Sequence, residues 1–520
     1  MATSTMNQAH SGTTLRNPAA AKAASSVWLA LGVCLWLFAV GGRWDLPFAA
    51  WLYSIFLLRF SRTSRIGIAV LLLVAASIAA ALFWAWQSAV PFTAVTTIGC
   101  LAYGVVFALP LIFDRLLTPR LGPLAGLLAY PALLTACEFV LGAVSPMGTS
   151  YGLLAVTQSA NLPLMQIISV TGPYAIGFFI GLLATVSNFV WEHPCDRHAR
   201  IAVMLYTGLM AAVFVFGEAR IALFPAHAPY VRVAGIAPSF AVIAKAERQL
   251  GHPLTAARAH GGDDTTERAA RELVTLELFA ATRRAAQAGA QVVMWSENAA
   301  AVPTAEAPSF LNRASAIARE EHIYLNLADN VPTAHDQTQM IDPTGSLVWT
   351  YQKAHPIPGL ESYRPGPAIV PSVRTPFGRI ANVICYDADF PRLMRVGADI
   401  MLVPGGDWPE MGRVHTLKMA SLRAIENGYS LFRQDFNGLS AAFDHQGHVL
   451  AVQDTTAAGQ HILVADLPTR GVPTIYRQLG DFFAWGCVLA SVFLIALGIG
   501  RPRVGRKRQS SSMVSTEVMT

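Results

Sequence analysis

Long apolar runs fill the first 217 residues, give way to short alternating blocks, and return once near residue 490. A hydrocarbon core takes about 20 helical residues to cross. The runs predict helices at 25–42, 46–58, 66–86, 91–113, 123–143, 164–191, 201–217 and 482–500. The second is short for a full crossing. Between the last two helices, residues 229–470 alternate strand-like runs (Val231–Ala237, Gln291–Trp295, Ile323–Leu327, Ile380–Cys385, Ile400–Pro404, Tyr429–Phe432, His461–Ala465) with helical stretches near 264–289, 309–321, 390–397 and 412–427. Several of these strands are continuously apolar, as strands buried on both faces are. Asp342-Pro343-Thr344-Gly345 marks a hairpin turn. The pattern predicts a polytopic α-helical bundle of about eight crossings joined to one α/β domain.

Composition agrees with a membrane class. Charged residues make up 13% of the chain and apolar ones 53%, against about 25% charged in soluble proteins. The net charge of +6 collects in short loops and in Arg501, Arg503, Arg506, Lys507 and Arg508, which argues against a nucleic-acid surface. With the N-terminus inside, segments 1–24, 59–65, 114–122, 192–200 and 501–520 hold fourteen Lys/Arg, whereas the short outer loops 43–45, 87–90 and 144–163 hold only Arg43. This positive-inside bias needs the second run as a crossing. It predicts a cytoplasmic N-terminal tail (1–24), a membrane domain (25–217), an extracytoplasmic domain (218–481), a last crossing (482–500) and a basic cytoplasmic tail (501–520). Glu138, an intramembrane carboxylate, is a functional candidate on that ground.

Six cysteines are spread along the chain, and Cys385 alone falls in the polar domain. That domain therefore forms no internal disulfide, and no Cys/His cluster suggests a metal. Three chemically able residues stand at or near strand ends: Glu297, Lys353 and Cys385. Singly, each has an ordinary reading as a solvated charge or a buried small hydrophobe.

Together, and in this order, they resemble the Glu–Lys–Cys triad of the nitrilase (carbon–nitrogen hydrolase) superfamily. The segment Cys385-Tyr386-Asp387 through Arg395 resembles its cysteine elbow, and Arg423 through Gly428 resembles the helix after the site. Eight crossings with the catalytic domain before the last one resemble the superfamily's membrane branch, the apolipoprotein N-acyltransferases. So do Thr171-Gly172-Pro173-Tyr174, the Lys353–Pro358 loop with Glu361, Trp408, Arg433 and Asn437-Gly438. Departures are Ser296 and Asn298 flanking Glu297, and Asp387 where the branch carries Glu.

The resemblance implies an α-β-β-α sandwich with Glu297 as base, Lys353 as oxyanion stabiliser and Cys385 as nucleophile. Glu361, Tyr386, Asp387, Trp408, Arg433 and Asn437 would support them, and Trp408, Pro409 and the 355–368 loop would form a lid. The implied activity is ping-pong acyl transfer from a phospholipid, phosphatidylethanolamine by family analogy, to a diacylated apolipoprotein. The setting would be the bacterial inner membrane with the catalytic domain extracytoplasmic, and no metal or organic cofactor is implied. A membrane-anchored amidase is the nearest alternative. A non-catalytic scaffold or transporter is the second.

Overall fold

The computed structural model describes residues 18–226, 229–253, 265–331, 334–456 and 461–501. The tails 1–17 and 502–520, including Arg503, Arg506, Lys507 and Arg508, lie outside the described residues.

The bundle is built from helices Pro18–Leu37, Pro47–Thr63, Ile66–Gln87, Ala94–Leu121, Ala129–Val144, Tyr174–Glu192, Arg197–Leu223 and Phe482–Gly500. Six spans among the described residues are long and apolar enough to cross a membrane: 66–87, 94–121, 123–144, 174–192, 197–223 and 482–500. Helix Pro47–Thr63 has 17 residues, about 25 Å at 1.5 Å each, somewhat short of a typical hydrocarbon core. Helices pack closely where side chains are small. A Cβ on Gly104 would sit 2.6 Å from the Ile78 Cα of the neighbouring helix.

The run at 164–191, expected as one helix, is broken. Leu162–Met165 and Ile168–Thr171 are single turns, the chain bends at Gly172-Pro173, and Tyr174–Glu192 follows. Pro173 has no N–H to continue a helix. Gly172 has φ +69°, and a Cβ there would meet the Tyr476 ring at 2.5 Å. Hydropathy misses the break because the broken turns are apolar and bury against the polar domain and neighbouring helices rather than lipid. The next helix runs on to Leu223, past the boundary at 218 expected from hydropathy.

The polar domain is a two-sheet sandwich. One sheet has the order β13-β1-β2-β4-β5-β6, with β3 beside β4; the other runs β12-β11-β10-β9-β8-β7. The first contains β1 (Tyr230–Ile236), β2 (Val292–Trp295), β3 (Ala300–Ala301), β4 (Tyr324–Val331), β5 (His335–Ile341), β6 (Leu347–Gln352) and β13 (Ile462–Pro468). The second contains β7 (Ser372–Thr375), β8 (Gly378–Asn382), β9 (Ile400–Gly405), β10 (Ser430–Asp435), β11 (Leu439–Phe443) and β12 (Val449–Asp454). Val231, Val292, Met294, Ile380, Ile400 and Phe432 fill the space between the sheets. Helices Thr265–Gln287 and Ala307–Glu320 cover the first sheet, and Ser421–Asn427 lies over the second, where Ala424 joins the core. This is the α-β-β-α order. Strands β7, β11 and β12 carry too little apolar periodicity to be read from sequence. The helix expected at 390–397 shrinks to Pro391–Met394.

The sandwich rests on loops at one end of the bundle. Trp408 Nε1 donates to Ser88 O at 2.6 Å, Tyr386 OH to Pro146 O at 3.1 Å, and Lys418 Nζ to Asp45 at 2.8 Å. Thr149 N donates to Asp389 O at 2.9 Å.

Candidate active site

Cys385 follows β8, one of the strands buried in the middle of its sheet, and begins a short 3₁₀ turn, Cys385–Asp389. Its φ is +47°. A non-glycine residue in the left-handed region costs about 1–3 kcal/mol and persists only where the surroundings impose it. Asp387 supplies much of that restraint. Its carboxylate accepts from Tyr351 OH at 2.7 Å and from the backbone N–H groups of His355 (2.8 Å), Ala354 (3.3 Å) and Ile384 (3.3 Å). One short acid thus ties the elbow to the loop that carries Lys353.

Two charged clusters meet the sulfur. In the first, Lys353, delivered by β6 and fully buried, donates to Glu297 Oε1 at 2.6 Å and Glu361 Oε1 at 2.8 Å, and lies 3.7 Å from Asp336 Oδ2. Glu297 follows β2. Its Oε2 faces Gly406, where a Cβ would come within 2.8 Å. Burial lowers the affinity of Lys353 for its proton, but Glu297 and Glu361 more than reverse this and hold the ammonium charged. Burial disfavours ionised Glu297, and Lys353 overcomes it, so its pKa is lowered. Asp336 is pushed well above the carboxylate range by burial and by the charge of Glu297. The carboxyl oxygens of Glu297, Asp336 and Glu361 lie within 4.8 Å of one another. The Lys353 ammonium occupies the place a metal cation would take.

The second cluster is centred on Arg433 of β10. Its Nη2 lies 3.6 Å from Cys385 Sγ and 2.6 Å from Asp407 Oδ2, and Nη1 reaches Cys385 O at 3.4 Å. Asp407 Oδ1 is 3.7 Å from the sulfur and accepts from His415 Nδ1 at 2.9 Å. His415 Nε2 is 3.0 Å from Asp389, which also accepts from Ser150 Oγ of the bundle. Burial would lower the His415 pKa, but Asp389 and Asp407 raise it to about 10. Asp407 is depressed against burial by His415 and Arg433. Burial, then the charges of Glu297 and Asp407, push the Cys385 thiol well above its ordinary value. Cys385 therefore rests as a thiol, and a nucleophilic role would require a base to take its proton.

Of the residues the sequence singles out, Glu297, Lys353, Glu361, Asp387 and Arg433 converge on this site. Tyr386 and Trp408 face the bundle. The contact of Asn437 with the cluster is its backbone N–H on Asp435 Oδ1, at 3.2 Å. Glu138 lies elsewhere, inside the bundle, in a cavity lined by Tyr53, Tyr130 and Tyr151. One of its oxygens accepts from Leu154 N at 3.2 Å. Asp336, Asp389, Asp407 and His415 are absent from the sequence reading. Asp407 adjoins Trp408, and Asp389 is part of the quoted elbow, so their neighbourhoods were visible. Asp336 sits in a polar strand with no signal of its own.

Beside Tyr386 and Trp408 a narrow apolar slot of about 30 Å³, lined also by Trp84, Val90, Thr96 and Met147, opens between helices Ile66–Gln87 and Ala94–Leu121. The same four side chains line a smaller cavity of about 10 Å³ within the bundle.

Two family models match the chain: Carbon-nitrogen hydrolase over residues 226–474 and Apolipoprotein N-acyltransferase N-terminal domain over residues 25–186. The chain belongs to the apolipoprotein N-acyltransferase family. The apolipoprotein N-acyltransferase of Geobacter metallireducens is 23% identical over 432 residues, 73% of this chain and 75% of that one. That of Bradyrhizobium diazoefficiens is 28% identical over 411 residues, covering 71% and 72%. The deaminated glutathione amidase of Rattus norvegicus is 34% identical over 140 residues, 22% of this chain and 43% of that protein. Similarity to that amidase covers far less of the chain than similarity to the membrane relatives.

Proposed function

We propose that this protein is an acyltransferase of lipoprotein maturation: it moves an acyl chain from a phospholipid, phosphatidylethanolamine in the favoured reading, to the α-amino group of a diacylglyceryl-cysteine. The observation that carries the reading is that the elbow bearing Cys385 joins an ammonium–carboxylate cage to an apolar slot, lined by its neighbour Tyr386 and by Trp84 and Met147 of the bundle. An amidase for soluble substrates has no use for that slot. The exposed indoles of Trp44 and Trp86 near the sandwich and the basic bias of the opposite loops support an extracytoplasmic catalytic domain with both termini cytoplasmic.

In this reading Glu297 takes the thiol proton as Sγ attacks the ester carbonyl carbon. The Lys353 ammonium stabilises the oxyanion, with a backbone N–H beside Cys385 as second donor; one such donor is worth about 3 kcal/mol. Glu297 returns the proton to the departing glycerol oxygen, and lyso-phospholipid leaves a thioester on Cys385. The acceptor amine then attacks, Glu297 takes its proton, and the thiol is released. Glu361 holds Lys353 in place and charged. Trp408 and the 355–368 loop act as a lid over the slot. Keeping both lipids in the bilayer avoids about 0.8 kcal/mol per CH₂ exposed to water.

Incubating the purified protein with phospholipid and a diacylated peptide tests the proposal. Intact-mass analysis is expected to show one acyl adduct, absent in Cys385→Ala, that passes to the peptide amine. Release of free fatty acid with no acylated peptide would instead make the protein a hydrolase.

A further inference from the structure

The sequence leaves one oddity unexplained: Arg43 is the lone basic residue in the short outer loops. In the structure it lines a cavity of about 320 Å³ at the seam between bundle and sandwich, with Trp44, Glu410, Arg413, Gly438 and Asp454. The size lies at the lower end of small-molecule sites, about 300–1,000 Å³. Charge is arranged as two opposite pairs, Arg43–Glu410 and Arg413–Asp454, each at 3.5 Å. Both distances exceed the usual charge-assisted hydrogen bond of about 2.7–2.9 Å, so neither pair is closed tightly on itself.

The walls are held in position. Asp45 accepts from the N–H groups of Gly41 (3.0 Å) and Gly42 (3.2 Å) and from Lys418 Nζ (2.8 Å), and Trp44 N donates to Gln87 Oε1 at 3.1 Å. Trp44 and Trp86, 39% and 56% exposed, sit 5.3 Å apart by ring centroid, with the Phe83 ring 6.1 Å and 5.6 Å from them. Exposed indoles at the end of a membrane bundle mark the headgroup level. The five-residue helix Pro409–Arg413 separates this cavity from the apolar slot. Pro409, Glu410 and Arg413 line the charged side, and Met411 with Trp408 lines the slot.

We propose that this cavity is the headgroup subsite of the acyl donor and selects a zwitterionic phosphodiester. Arg43 and Arg413 take the phosphate, in the bidentate manner guanidinium favours, and Glu410 and Asp454 take a primary ammonium. An anionic headgroup leaves both carboxylates facing negative charge. The inference rests on the phospholipid-donor reading and names the class of donor it accepts. The competing occupant, the peptide of the acceptor, is distinguished by the test.

The Cys385→Ala protein is incubated in micelles with equal amounts of phosphatidylethanolamine and phosphatidylglycerol bearing the same acyl chains, and retained lipid is counted by native mass spectrometry. The zwitterionic lipid is expected to dominate. Adding Arg43→Gln and Arg413→Gln should reduce its retention at least about tenfold, the effect of losing one charge-assisted hydrogen bond, and remove the preference. Arg43→Lys with Arg413→Lys should retain it within a few-fold. With Cys385 present, the glutamine variants should raise the donor KM for thioester formation. Unaltered lipid preference in the glutamine variants, or an effect confined to the acceptor KM, overturns the proposal. Absence of any thioester in the unsubstituted protein sinks the transfer reading, while lipid selectivity of the Cys385→Ala protein still decides the cavity.

Discussion

The two clusters flanking the Cys385 sulfur use the same ingredients to opposite ends. Around Lys353 three carboxyl groups share one ammonium, and Asp336 remains above the usual carboxylate range. Around Arg433 the ionised groups balance, while Asp435, 3.6 Å from the guanidinium, is held above the usual carboxylate range by burial and by Asp407. The guanidinium and the protonated His415 face ionised Asp407 and Asp389, and both oxygens of Asp407 are engaged. Asp407 is close to the sulfur, yet His415 and Arg433 already hold its two oxygens. Glu297 keeps one oxygen outside its contact with Lys353. Nearness to a sulfur therefore does not identify a base; an oxygen left clear of its cationic partner is the geometric mark. The clusters also differ in reach. The Lys353 cage is made wholly by the sandwich, whereas the Arg433 cluster continues through Asp389 to Ser150 and Thr149 of the bundle.

The largest expected effect sharpens that contrast. In single-turnover thioester formation, Glu297→Gln should slow acylation by about 10³-fold, within the range for general acid–base catalysis. Asp407→Asn should cost about tenfold and leave the acidic limb of the pH–rate profile in place. Equal losses with the same displaced limb in both variants would reverse the roles assigned to the two acids.

A smaller effect concerns stability against pH. His415 is raised from 6.5 to about 10 in the folded protein. Its contribution is thus fully present below the unfolded value and is lost as pH rises from about 6.5 through about 10. Thermal unfolding of the micelle-held protein should show Tm falling across that window, and His415→Asn should flatten the fall. An equally steep decline in that variant would mean other groups carry it.

The smallest effect tests the wiring to the bundle. Ser150→Ala removes one acceptor contact on Asp389 and should slow acylation only a few-fold, with Asp389→Asn slower still. A loss as large as that of Glu297→Gln would make the bundle loop part of the proton-transfer apparatus.

Much of the architecture was legible. Hydropathy locates the bundle and the α/β segment because lipid contact and two-sided burial both demand long apolar runs. It fails at residues 162–173, where burial comes from the sandwich, and at β7, β11 and β12, short strands whose apolar and polar positions do not alternate cleanly. At the site, Glu297, Lys353 and Cys385 stand out through a resemblance in their order and surroundings. Asp336 and His415 do not, since a polar strand residue and a helix histidine become charged partners only when distant segments meet.

The chain by itself determined that a helical bundle carries one α/β domain, that one cysteine lies in that domain, and which short loops are basic, because hydropathy and charge are local properties of sequence. Tertiary structure alone decided which carboxylate keeps an oxygen clear of its cationic partner, how Arg433 and His415 balance Asp407, and that Arg43 and Arg413 line one cavity at the seam. Those outcomes depend on distance and burial between segments hundreds of residues apart, and neither is a property of any one stretch of chain.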